Sequence, residues 1–157
     1  MRGKCIEEFE VGQVDESRAR TITETDVVQF SWISGDVNPM HTDSVHSAKS
    51  PLGQRIAHGA LGLSVATGLS ASLGYLDGTA IAALGIDEWK FIKPILFNDT
   101  IRLRATVVAV RPTSKPDRGV LVRRMDLLNQ HDDVVQTGLM TTMVLTIAGR
   151  KAMKNKP

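Results

Sequence analysis

The sequence predicts an α+β fold: one strand, a helical region, then a run of mostly antiparallel strands, with the helices gathered on one side of the sheet. Two observations carry this. Gly59 to Leu73 is built of Gly, Ala, Leu, Ser, Val and Thr without a single charge. It is long for a strand and poor in β-branched residues, so it reads as a buried helix that needs a sheet around it. After it, apolar and polar residues alternate with a strand's period, most clearly where Ile101, Leu103, Ala105 and Val107 interleave with Arg102, Arg104 and Thr106.

A chain of 157 residues, 42% of them hydrophobic, is the length of one compact domain with a substantial core. The expected domain covers 1–149, followed by a basic, flexible tail at 150–157. With 19 basic against 17 acidic residues and 4% aromatics, the chain shows neither the electrostatic footprint nor the stacking platform of a nucleic-acid binder. No apolar run reaches membrane-spanning length, and the polar start does not read as a leader. The expectation is a soluble, cytoplasmic protein. Its single cysteine, Cys5, cannot form an intrachain disulfide.

The elements follow in order. Ser17 to Ile22 reads as a first strand. Thr23, Glu24, Thr25 and Asp26 have the capping-box pattern, so a short helix should run from there to Ser34 and stop at a left-handed Gly35. Pro39 fixes its own φ, lacks an N–H and drives Asn38 into an extended conformation, which predicts a stiff non-helical loop from Ser34 to His41. Such a loop can bring Asp36 and His41 to one point. Asp43 to Lys49 makes another short helix, broken by Ser50, Pro51, Leu52 and Gly53. The glycines at 59, 62 and 68 are expected to let other backbone approach the buried helix. Strands are expected at Ala80–Leu84, Glu88–Ile92, 101–107 and Val120–Leu128, with a long last one through Val135, Thr137, Leu139 and onward. Arg111 to Arg118 is a hairpin loop. Trp32 and Trp89 are expected in the core or at a dimer interface.

Gly35, Asp36, Val37, Asn38, Pro39, Met40 and His41, followed by Ser47, resemble the G-D-x-N-P-[LIV]-H-x5-[AS] signature of (R)-specific enoyl-CoA hydratases, members of the MaoC-like dehydratase family of hotdog folds. Met40 departs from the pattern by a tolerated apolar exchange. Arg55 to Gly59 and Phe91 to Thr100 resemble the family too, with Asn98 where its members carry glycine. Asn is the residue that best tolerates positive φ after glycine.

The resemblance implies a hotdog fold, with a long central helix wrapped by a curved antiparallel sheet, a catalytic segment overhanging it, and a dimer. It also implies reversible syn hydration of trans-2-enoyl-CoA to (R)-3-hydroxyacyl-CoA. Asp36 and His41 form the implied dyad, activating one water. The Gly59 backbone N–H, at the amino end of the buried helix, is the expected donor to the thioester oxygen. Asn38, Pro39 and His58 support the loop, and Thr67 aligns with a position where relatives place a small hydroxyl toward substrate. Coenzyme A belongs to the substrate, and no cofactor is expected. No metal is expected either, because no zinc-type ligand spacing is present.

The rivals are a hotdog thioesterase and a non-catalytic acyl-carrier-binding subunit. Many such thioesterases place an acid on the central helix, and Gly59 to Leu73 has none. The intact Asp36 and His41 count against a non-catalytic role.

Overall fold

The computed structural model describes residues 3–154. Strands β1 (Val14–Glu16) and β2 (Arg20–Thr21) replace the single expected first strand, and both pair antiparallel with β4 (Thr100–Pro112). The interruption falls where the Ser17 hydroxyl, rather than its carbonyl, accepts the Leu103 N–H, while the Ser17 N–H still reaches the Leu103 carbonyl. Helices α1 (Glu24–Ser34), α2 (Pro39–Thr42), α3 (Ser44–Ala48) and α4 (Gly59–Ser72) precede β3 (Ala80–Phe91). Strands β5 (Arg118–Leu128) and β6 (Val134–Leu145) and helix α5 (Ile147–Lys154) complete the fold.

The six-stranded sheet runs β1-β4-β5-β6-β3, with β2 beside β4. The two strands expected at 80–84 and 88–92 are one element. Register shifts between Ala80 and Ala82, Ala83 and Gly85, and Asp87 and Lys90 bend β3, and Glu88 sits at φ 52. A further shift at Val107/Ala109 bends β4. Such irregularities increase the twist that lets a sheet curve around a helix.

Helix α4 lies against that sheet. Leu61, Val65, Ala66 and Leu69 pack with Leu103, Ala105, Met125, Leu127, Val135 and Met140 in the main core. The helix is not buried all round, as its composition suggested: Ala60, Ser64, Thr67 and Gly68 are exposed. One sheet covers one face, and the residues it covers recur at helical spacing. A smaller cluster of Ile6, Phe9, Tyr75, Val107, Leu121 and Val144 closes the far end.

Two further expected features can be placed. Trp32 is 83% exposed, so it is no core residue of this chain, whereas Trp89 packs against the core. The expected flexible tail begins inside α5. The Glu7 carboxylate accepts the Ile147 N–H, and the Arg150 guanidinium donates to the Gly3 carbonyl at 2.8 Å. These contacts hold the chain end against its own beginning; residues 155–157 lie outside the described part.

Candidate active site

The site starts with α1. Its N-cap Thr23 accepts the Asp26 N–H while the Asp26 carboxylate accepts the Thr23 N–H, the expected reciprocal box. Burial raises the Asp26 carboxyl, but the backbone and hydroxyl donors of Thr23 and the Arg20 guanidinium outweigh it and hold it below its ordinary value. The helix ends at Gly35, φ 74, which turns the chain back toward the sheet.

From there Asp36 to Thr42 folds on itself. The Asp36 carboxylate accepts the Asn38 N–H at 3.2 Å, and the Asn38 side chain accepts the Met40 N–H at 3.1 Å. The expected loop becomes helical at Pro39. Proline occupies the first turn of α2, where its missing N–H has no partner to lose, so His41 sits on a helical turn. Buried Ser47 fastens this turn by donating to the Pro39 carbonyl at 3.1 Å. Asp43 caps α3, and the backbone N–H groups of His46 and Val45 hold its carboxyl low against the opposing effect of desolvation.

His41 is 7% exposed, and its Nδ1 lies 2.8 Å from the Ile56 carbonyl. A carbonyl only accepts, so Nδ1 carries the proton and Nε2 of the neutral ring is an acceptor. That Nε2 faces the Asp36 carboxylate at 3.9 Å, and the Asp36 side chain is 52% exposed. Two acceptors at this separation do not bond each other. They can share the two protons of one water.

His58 connects the turn to α4. Its Nε2 donates to the Asp36 carbonyl at 2.9 Å, and its ring stacks on His41 with centroids 3.8 Å apart. It supports the Asp36 backbone as well as the helix start. Its Nδ1 is buried without a hydrogen-bond partner. Asp36, His41 and His58 each offer a ligand-type atom within 4.8 Å of the others. The sequence shows no zinc-type spacing for this trio, because His58 reaches it through the fold, and His46, which the sequence also offered as a member, is not part of it.

Gly59 opens α4 as its first residue, and no side chain caps the helix. Its N–H has no protein acceptor among the described residues. The helix dipole makes this a place where negative charge is favoured. Gly59 and His41 both line a pocket of about 540 Å³, whose other walls include Met40, Ile56, Ala57, Phe91, Ile95 and Gln136. Thr67 is not brought to that pocket. It lies on the exposed face of α4 with its hydroxyl bonded back to the Ser64 carbonyl.

Asn98 takes the positive φ expected of it, 70°, and buried Asp99 closes that turn by accepting the Leu96 N–H. Gln136 was missed: a polar residue in an alternating strand reads as facing solvent, yet the even-numbered face of β6 turns toward α4.

A long helix against a bent antiparallel sheet, with the site at the helix start, is the hotdog fold. The chain aligns with the monoamine oxidase regulatory protein of Archaeoglobus fulgius at a TM-score of 0.86 and 30% identity, covering 93% of this chain and 97% of that one. A Mycobacterium tuberculosis protein with a double hotdog fold matches at a TM-score of 0.79 and 23% identity, over 92% of this chain and 44% of that one.

The sequence comparison then gives the family. The MaoC like domain matches residues 8–124, and the chain belongs to that family. Protein MaoC of Klebsiella aerogenes is 37% identical over 103 residues, 66% of this chain but only 30% of that protein. The 3-hydroxybutyryl-CoA dehydratase of Methylorubrum extorquens is 34% identical over 75% of this chain and 73% of its own length. The (R)-specific enoyl-CoA hydratase of Rhodospirillum rubrum is 34% identical over 70% and 74%. Among the described residues no helix is long and apolar enough to cross a membrane.

Proposed function

We propose that this chain is a hydro-lyase that adds water to trans-2-enoyl-CoA thioesters to give (R)-3-hydroxyacyl-CoA, and runs the reverse dehydration. One observation carries the reading: His41, whose Nε2 lies 3.9 Å from the Asp36 carboxylate, and Gly59, at the uncapped start of α4, line one pocket with largely apolar walls.

The chemistry follows from those atoms. A water held between Asp36 and His41 attacks C3 of the enoyl group as the pair takes its proton. The displaced π electrons move onto the thioester carbonyl as an enolate, whose oxygen accepts the Gly59 N–H. The enolate collapses, and C2 takes a proton from the same pair on the same face. No carboxylate stands on α4 to direct water at the carbonyl carbon, which favours addition over thioester hydrolysis. The names of the two relatives of comparable length support the substrate class.

The reading includes a homodimer and no metal. Strand β3 ends the sheet with one edge unpaired among the described residues and leaves Ile81, Leu84 and Ile86 exposed, an arrangement a second copy can cover.

The test is turnover of but-2-enoyl-CoA followed by loss of the conjugated thioester absorbance, with an (R)-specific dehydrogenase reporting product chirality. Hydration to the (R) product, unchanged by a strong chelator, is expected. Release of free thiol instead would make the protein a thioesterase, and no reaction with short, long or branched enoyl thioesters would end the enzyme reading. Loss on chelation with recovery on adding a divalent cation would turn Asp36, His41 and His58 into a metal site.

A further inference from the structure

Gln136 is 2% exposed, at the start of β6 and against the first turn of α4. Its Nε2 donates to the Gly59 carbonyl at 3.0 Å, and its Oε1 accepts the Trp89 indole N–H at 3.1 Å. An indole N–H only donates and a carbonyl only accepts, so one amide orientation alone satisfies both. The helix makes room for this side chain by leaving one out: a Cβ at Gly62 would overlap the Gln136 amide. At Gly59 a Cβ would lie 2.8 Å from the Phe91 ring. Side chains, not the backbone expected from the sequence, fill the notch these glycines open.

The notch has a cost. Glycine has the widest backbone freedom of any residue, and Gly59 stands at a helix start with no capping side chain. One hydrogen bond from outside the helix reaches Gly59 itself, and a second holds the residue before it. The His58 ring is held to the Asp36 carbonyl on one side of the Gly59 N–H, and the Gly59 carbonyl is held by Gln136 on the other.

We propose that Gln136 is a positioning residue for the reaction: by anchoring the Gly59 carbonyl to β6 it aims the Gly59 N–H at the thioester oxygen, and Trp89 locks the amide in the orientation that does so. This rests on the oxyanion role given to Gly59 in the proposed function. A preorganised donor works by needing no rearrangement as charge develops, and a misplacement of about 1 Å can cost on the order of 100-fold in rate.

Gln136→Leu removes both hydrogen bonds and should lower kcat by about 10- to 100-fold, with KM within about 3-fold. The shape of the pH–rate profile should persist, since Asp36 and His41 are untouched. Trp89→Phe keeps the ring and removes only the lock, so a smaller loss of about 3- to 10-fold is expected, and it carries the test if the leucine variant fails to fold. A role in folding alone would not change the aim of the Gly59 N–H, so that is read directly. In the ligand-free protein the Gly59 N–H bond vector should loosen in the variant, its NMR order parameter falling from about 0.85, typical of rigid backbone, toward about 0.6.

Failure of the proposal is distinguishable from failure of the function it rests on. If the wild-type protein hydrates no enoyl thioester, the function is wrong, and the Gly59 order parameter still decides whether Gln136 anchors the helix start. An unchanged Gly59 order parameter overturns the proposal whatever happens to kcat, and so does wild-type kcat in an active enzyme carrying Gln136→Leu.

Discussion

The two ends of α4 carry buried polar side chains that do opposite things. At the amino end Gln136 and His58 hold backbone carbonyls and leave the Gly59 N–H to the pocket. At the carboxyl end Arg123, 2% exposed, donates to the Ser70 hydroxyl at 2.9 Å, the Tyr75 hydroxyl at 2.8 Å and Thr142 at 3.2 Å. No carboxylate pairs with it among the described residues, and its charge lies beside the last turn of the helix, where the dipole is negative. The three hydroxyls at this end are taken up by Arg123, whose Nε alone is buried without a partner. The difference separates labour: one end of the helix holds the fold together, and the other leaves an N–H free, the group to which the proposed function gives the charge on the substrate.

The largest effect should come from breaking the amino end. Asp36→Asn and His41→Gln should each lower kcat by about 100- to 10,000-fold, with little loss of stability for Asp36, whose side chain is 52% exposed. Steady-state kinetics beside thermal melts will separate the two quantities, and near-normal turnover in either variant removes that residue from the dyad.

Breaking the carboxyl end should do the reverse. Arg123→Ala leaves a cavity and three buried hydroxyls without their shared donor, for an expected loss of about 2–4 kcal/mol and a lower denaturation midpoint. Turnover per folded molecule should hold within about 3-fold, in line with a residue that makes no contact with the reacting atoms. Lost activity in a fully stable variant would erase the division between the ends.

The smallest effect sharpens the comparison by moving away from α4. Thr23→Ala should cost about 1 kcal/mol by removing the cap of α1. Asp26, the other half of that box, has its carboxyl held below its ordinary value, so the folded state favours the ionised form. Its contribution is therefore whole at neutral pH. It begins to fade as pH falls below the ordinary aspartate value and is gone below the lowered one. Urea midpoints of wild type and Asp26→Asn should differ at about pH 7 and converge in acid; a constant gap would show that the carboxylate's charge is not what the cap uses.

Much of the fold was legible because its signals are short in range. The box at Thr23, the stop at Gly35, the turn at Asn98 and the chargeless run of α4 each depend on residues within a turn or two of one another. The Asp36 and His41 pair was legible for the same reason, carried by one continuous motif. Pro39 misled because it was read as a breaker, when the first turn of a helix is the one place it continues. The contact of Arg150 with the Gly3 carbonyl was not legible because it joins residues far apart in the sequence.

By itself, then, the sequence determined most of the element types, the family motif and the placing of Asp36 and His41 within one short segment, since local hydrogen bonding and hydrophobic periodicity encode them. Only the tertiary structure decided which face of β6 turns inward, that His58 holds Asp36, that Thr67 stays outside the pocket and that Gln136 grips Gly59. Each of those depends on the register of strands or the docking of a helix, where a shift of one residue exchanges an inward side chain for an outward one. No pattern along the chain records which neighbour will be found across that space.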